Sequence, residues 1–163
     1  MNQAIVAPST VAAVTRQFIS FTVGTEEYGI DIMAIREIKG WTPTTTLPEA
    51  PEHVRGVIDL RGSIVPIIDL RARFRRGRTE VTPTHVILVV AIQEMMVGLL
   101  ADAVVDIVTV ASSDIQPVPN LDHQGHQGYL SGIVSVEGRM VVLLDLDSLI
   151  GPDEAVLSAV VAA

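Results

Sequence analysis

The sequence predicts a mainly all-β fold of two small barrels packed together, and three observations carry that expectation. Valine numbers 24 and isoleucine 16, so 40 of 163 residues have stiff β-branched side chains that suit strands. Most apolar runs are four to eight residues long and end at turn residues, the spacing of short antiparallel strands. The chain is also written twice. With Gly29 over Gly98, an offset of 69, GIDIMAIREI (29–38) lies over GLLADAVVDI (98–107) without a gap. With Gly56 over Gly132, an offset of 76, GVIDLRGSIVPIIDL (56–70) lies over GIVSVEGRMVVLLDL (132–146). Both glycines, Val65/Val141, Asp69/Asp145 and Leu70/Leu146 coincide.

Taken in order, residues 1–15 carry Ala, Ser, Thr and Pro without periodicity and read as a loose arm. Phe18–Val23 and Tyr28–Ile32 form a hairpin around Gly24-Thr25-Glu26. Pro48–Val54, with Pro and acids early, reads as one helical turn. Val54–Leu60 and Ile64–Leu70 pair across Arg61-Gly62-Ser63, where Gly62 suits a positive φ. Leu70–Phe74 is a short helical turn before the basic loop Arg75-Arg76-Gly77-Arg78. Val86–Ile92 pairs with Met96–Leu100, and Gly132–Val136 with Met140–Leu146 across Glu137-Gly138-Arg139. Pro152-Asp153-Glu154-Ala155 opens a C-terminal helix within the tail 151–163, its acids in the first turn. The repeat units span about 16–80 and 81–150. Each is near the size at which a lone core is marginal, so the two barrels are expected to share a core and to leave a groove between them.

Composition excludes several function classes. The net charge of −8 argues against a nucleic-acid or anionic-membrane binder, both of which need a basic face. Without cysteine there is no disulfide frame, thiolate metal site or cysteine nucleophile. The longest apolar run, Val86–Ile92, falls far short of the roughly 20 residues of a membrane span. The N-terminus has no basic region ahead of its weakly apolar stretch, so no signal peptide is expected and the default is a soluble cytoplasmic protein. The charge is uneven. Residues 1–80 hold ten basic and nine acidic residues, whereas 81–163 hold one basic residue, Arg139, and ten acidic. Solvation accounts for an acidic face, and so does a partner of its own.

A search for chemistry returns little. No G-x-S-x-G elbow, P-loop or G-x-G-x-x-G is present. His123 and His126 have metal-like spacing but sit in a Gly/Gln loop without a third ligand, so no metal site and no cofactor is assigned. Asp145 and Asp147, on a strand, would share a face. Asp145 recurs at Asp69, which favours capping over catalysis. Arg71, Arg73, Arg75, Arg76 and Arg78 hold five of eleven basic residues, a solvated loop or a contact for an acidic partner. Trp41 is a core plug or an interface anchor. The repeat exposes one asymmetry. Glu37 matches Asp106, but Arg61 matches Glu137, so an opposite-sign pair in the first unit is replaced by two acids in the second. A pseudo-duplicated β protein with no catalytic set is expected to be a binding module, not an enzyme.

EEYGIDIMAIREIKGW (26–41), HVRGVIDLRGSIVPIIDLR (53–71), VGLLADAVVDIVTV (97–110) and YLSGIVSVEGRMVVLLDLDSL (129–149) resemble the CheW family of bacterial chemotaxis adaptors, over about residues 16–150. The resemblance implies two five-stranded SH3-like barrels around a shared hydrophobic core, and no catalytic activity. It implies coupling of transmembrane chemoreceptors to the histidine kinase CheA, through the receptor's cytoplasmic tip and the kinase's regulatory domain. It also implies a cytoplasmic location at membrane receptor arrays, or in a cytoplasmic array, without membrane insertion or nucleic acid. Carried over by motif, Ile35, Glu37, Ile38, Gly56 and Arg61 lie on or near receptor- and kinase-contact surfaces. Val104, Val105 and Ile107 of the second unit are added to Ile35 and Ile38 as apolar members of the contact patch. Residue 59 is Asp where the family often has Asn, and the loop Asn120–Gln127 matches nothing specific. An adaptor for pilus motility or another chemosensory pathway, and a small-ligand-binding β-barrel module, stand as alternatives.

Overall fold

The computed structural model describes residues 14–118, 129–151 and 157–159. Among the described residues, ten strands form two five-stranded sheets: β1 (Thr15–Val23), β2 (Glu26–Asp31), β3 (Ile35–Gly40), β4 (Val54–Leu60), β5 (Ser63–Asp69), β6 (Val86–Ile92), β7 (Met95–Ala101), β8 (Ala103–Ala111), β9 (Leu130–Val136) and β10 (Arg139–Leu144). Two short helices follow β5 and β10, α1 (Leu70–Arg73) and α2 (Leu146–Ile150). All four expected hairpins are present. Gly62 and its repeat partner Gly138 turn at φ 89° and 82°.

Neither sheet is confined to one repeat unit. The first has the order β8-β1-β2-β10-β9 and the second β3-β6-β7-β5-β4. Each therefore joins the first two strands of one unit to the last three of the other. The chain leaves the first sheet through a 3-10 turn at Ile32–Ala34 and returns through Asp102, between β7 and β8. Met33 and Asp102 differ by the repeat offset of 69, so the two crossovers fall at equivalent points. The boundary near residue 80 thus divides the sequence repeat and not the sheets. The exchange is sealed by two parallel contacts, β2 with β10 and β5 with β7, in which Leu143 aligns with Gly29 and Ile67 with Gly98. These two alignments are the same one, seen once in each sheet.

The barrels share a core. Phe21, Tyr28 and Ile30 of the first sheet pack with Ile68, Leu88, Val90 and Leu99 of the second, and smaller clusters fill each barrel separately. Arg73 of α1 lies over Tyr129 at 4.3 Å, and its Nε donates to the carbonyl of Leu149 in α2 at 3.0 Å. Positions 73 and 149 are repeat equivalents, so this contact lies on the pseudo-two-fold axis. Trp41 is half-buried against the second sheet's cluster, with the Arg55 guanidinium 5.6 Å from its ring centre.

Several local expectations change. Pro48–Val54 forms turns, not a helix, because Glu49 adopts φ 65° and the two prolines withhold donors. Thr15 belongs to β1, and residues 1–13 of the expected arm lie outside the described residues. Of the expected C-terminal helix, residues 157–159 are helical, with Leu157 buried in the shared core, and the remainder lies outside the described residues. So does the loop Asn120–Gln127 with His123 and His126. Asp145 and Asp147 are not on a strand. Asp145 caps α2, its carboxylate accepting from the Ser148 N–H and hydroxyl, and Asp147 sits in the first turn.

Asp69 is the buried counterpart of Asp145. Its fully buried carboxylate accepts from the N–H groups of Arg71, Ala72 and Thr79, the Thr79 hydroxyl at 2.7 Å and the Arg55 guanidinium at 3.0 Å. Removing it deprives a part-buried cation and several buried donors of their carboxylate, whereas Asp145→Ala loses only an exposed cap. Urea unfolding should show Asp69→Ala losing about 3–5 kcal/mol and Asp145→Ala about 0.5–2 kcal/mol. Equal losses would mean that Asp69 acts as a cap alone.

Candidate functional site

The motif residues gather on two edge strands. β3 bounds the second sheet and alternates, with Ile35, Glu37 and Lys39 half-buried and Arg36 and Ile38 exposed. Ile35 packs against the shared core, which separates it from Ile38 on the opposite face. The Glu37 carboxylate accepts a hydrogen bond from the Arg61 guanidinium in the β4–β5 turn. β3 and β4 are the two edges of this sheet, so the pair bridges the seam by which the barrel closes. The Arg61 side chain is 74% exposed and that of Glu37 27%, so screening keeps the pair's own contribution to stability to about 0–1 kcal/mol. What the pair fixes is the direction of two charges on an exposed edge.

β8 is the repeat equivalent of β3 and bounds the first sheet. Val104, Val105 and Ile107 are exposed along it, with Ile107 in the place of Ile38. The molecule therefore carries two versions of one edge, one on each sheet, rather than a single patch. On the second version Asp106 and Glu137 replace the ion pair. The cation comes from elsewhere: Arg139 forks onto Glu27 of β2, at 2.9 and 3.2 Å, and lies 3.6 Å from Glu137. The hydrogen bond from Arg139 holds the Glu27 carboxyl below the usual carboxylate value, against the opposing effect of its burial.

Gly56 is buried and is not itself a contact surface. It adopts φ 139°, and a Cβ there would lie 2.2 Å from the Thr45 carbonyl oxygen, where Thr45 bridges Val57. Its place in the motif follows from the close approach of that strand, which only glycine permits.

A cleft of about 620 Å³ runs between the first sheet and the segment after α1. Tyr28, Phe74, Leu130 and Val142 form its apolar floor, and Arg76 and Arg139 stand among its lining residues. The Tyr28 hydroxyl donates to Glu26 at 2.6 Å, and burial followed by that bond raises its pKa. Among the described residues no group of three or more His, Asp or Glu is placed to hold a metal, and no helix is long and apolar enough to cross a membrane.

The CheW-like domain model matches residues 17–154. The chain belongs to the CheW family. It is 46% identical over 139 residues to the chemotaxis protein CheW of Rhizobium meliloti, covering 85% of this chain and 90% of that one. It is 35% identical to the chemotaxis protein CheW of Klebsiella aerogenes over 144 residues, 88% and 87% of the two chains. Among solved structures, the scaffolding protein TtCheW of Thermoanaerobacter tengcongensis superposes with a TM-score of 0.77 at 30% identity, over 84% of this chain and 88% of that one. The two five-stranded sheets of this chain are thus a CheW-type architecture.

Sequence reasoning found the Glu37–Arg61 pair through the repeat and missed what Arg139 does. Its isolation as the one basic residue after position 80 was the available signal, but its partner lies 112 residues upstream. Because the folded-state pKa of Glu27 is depressed, its contribution to stability is complete above the usual carboxylate range and is lost as pH falls through the lowered value. In unfolding titrations from about pH 7 to about pH 3, the stability gap between the wild type and Arg139→Gln should narrow toward the acid end. A gap that stays constant across this range would show that the fork does not hold the Glu27 charge.

Proposed function

We propose that this protein is a non-catalytic adaptor of chemosensory signalling that couples transmembrane chemoreceptors to a CheA-type histidine kinase and helps tie receptors into arrays. The observation that carries the reading is the exposed edge of β3, where Ile38 stands beside Glu37 and the carboxylate is oriented by Arg61. Its support is membership of a family whose similar proteins are named chemotaxis proteins and whose structural counterpart is named a scaffolding protein. In this reading Ile38 on one edge, and Val104, Val105 and Ile107 on the other, lose water on contact. Such apolar burial is worth about 25 cal/mol per Å² before the costs of association are subtracted. Glu37 and Arg61 set register and partner choice. Ile35 and Gly56 act from behind the surface by shaping β3 and β4.

Two edges related by the repeat but unlike in charge suit an adaptor that must hold two partners at once. One edge presents a paired acid and base, the other a row of apolar residues with acids beside it. The cleft beside Tyr28 and Phe74 is a seat for an amphipathic helix such as a receptor tip. Its work is contact, at the cytoplasmic face of receptor arrays, with no cofactor and no chemical step.

The test is titration of the purified protein with a kinase regulatory domain and, separately, with a receptor signalling-tip fragment. Arg61→Glu should weaken binding of at least one partner by roughly tenfold, about 1.4 kcal/mol, while the protein melts like the wild type. Adding Glu37→Arg should restore part of that loss, since the reversed pair re-forms the bridge. Absence of binding to either fragment at high micromolar concentration would remove the adaptor reading, and simple addition of the two losses would remove the pairing argument.

A further inference from the structure

The basic segment Arg71–Arg78, formed by α1 and the loop after it, is not used by the edges described above. Its five arginines are sorted by the fold into three kinds. Arg73 is buried over Tyr129. Arg71 and Arg76 are partly neutralised, by Asp102 at 3.1 Å and Glu26 at 3.1 Å. Arg75 and Arg78 are exposed and pair with no carboxylate among the described residues. The loop holding them is not a loose tether. Asp69 ties its start to its end through Arg71, Ala72 and Thr79, and the Arg76 N–H donates to the Arg71 carbonyl at 2.9 Å. Arg75 at φ 63° and Gly77 at φ 83° set the turn. Guanidinium groups displayed on such a frame lose less freedom on binding than they would on a flexible segment.

Beside the loop lies a mainly polar cleft of about 520 Å³, lined by Arg71, Arg76, Arg78, Thr79, Thr84 and His85. Two carboxylates also face it. Asp102 is already shared by Arg71, His85 and the Gly24 N–H, and Glu80 is exposed beside Thr79. The free charge of this corner is therefore positive, and it is carried by arginine, whose planar fork matches carboxylate oxygens two at a time.

The remainder of the molecule restricts what such a corner accepts. The described residues of the segments 14–34 and 102–159, which supply the first sheet, hold two basic and nine acidic residues, a balance of −7. The segment 35–101, which forms the second sheet, holds nine basic and seven acidic, a balance of +2. An extended anionic surface such as a bilayer meets this acidic field as well as the loop and is repelled by it. Nucleic acid further lacks an aromatic platform here, since Phe74 is buried. A narrow anionic segment reaches the loop alone.

We propose that the Arg71–Arg78 loop is a docking face for a carboxylate-rich polypeptide segment of a partner protein, gripped by Arg75 and Arg78 and flanked by the Thr79–His85 cleft. This inference stands apart from the adaptor reading, because its probe contains neither receptor nor kinase.

The test uses the full chain and a fluorescein-labelled oligoglutamate of about twelve residues, followed by anisotropy at about 50 mM and about 300 mM salt. Wild type should bind at the lower salt, and the higher salt should weaken binding severalfold. Arg75→Glu/Arg78→Glu should weaken it at least tenfold with unchanged circular dichroism. Should that double variant fail to fold, Arg78→Gln alone should lower affinity severalfold. No binding by wild type, or equal binding by a folded variant, overturns the proposal. Vesicles of phosphatidylserine and phosphatidylcholine should not pellet the protein, and loop-dependent pelleting would overturn the choice of a polypeptide. Sedimentation velocity should give one species independent of the loop. A dimer abolished by the double variant would assign the loop to a second copy instead.

Discussion

Two glycines hold the molecule's halves together. At Gly98 a Cβ would lie 2.5 Å from Ile67 Cδ1 and 2.8 Å from Ile87 Cγ2, and at Gly29 it would crowd Leu143 and Val141 at 3.1 and 3.2 Å. Both stand on the strands that receive the parallel contacts, β5 on β7 and β10 on β2. Where the side chain is missing, the neighbouring Ile or Leu fills the space, and the two sheets close around a continuous apolar interior. The edges, the crossovers at Ile32–Ala34 and Asp102, and the helices meeting at Arg73 and Leu149 take their places from this arrangement. An exchanged topology lets units of marginal size bury enough surface to be stable, because neither has to supply a whole core.

The same exchange redistributes charge. Among the described residues, division at the repeat gives +1 and −6, whereas division by the sheets gives +2 and −7. β1 and β2 carry their acids into the acidic sheet, and Glu94 stays with the other. The dipolar character is thus a property of the folded assembly. It places the Glu37–Arg61 bridge and the arginine loop on one sheet, while the acidic edge of β8 lies on the other.

Much of this was legible beforehand, and the misses share one cause. The four hairpins were readable because each is local and bounded by turn residues. The repeat was readable because Gly56/Gly132 and Asp69/Asp145 serve related tasks, room for an adjoining segment in one case and a helix start in the other. The exchange was not readable. Alternation tells which side chains face inward, not which strand lies alongside, and two similar units satisfy the same pattern whether they pair within or across. Arg139 with Glu27 was hidden for the same reason, since the two strands come from different repeat units. Among the site residues, the sequence singled out Glu37 and Arg61 rightly as a pair. Alternation separates Ile35 from Ile38 on β3, but it could not tell which of the two faces the core.

The interlaced strands also set an order of events as the chain leaves the ribosome. Residues 35–101 are contiguous and complete the second sheet by themselves, through pairings that are all available once β7 has emerged. β1 and β2 appear first yet have only each other, until β8 arrives some ninety residues later and β10 still later. Until then Phe21, Tyr28 and Ile30 have no complete interior to enter. The earliest hairpin to be made is therefore among the last to be secured, and it depends on strands at the far end of the message.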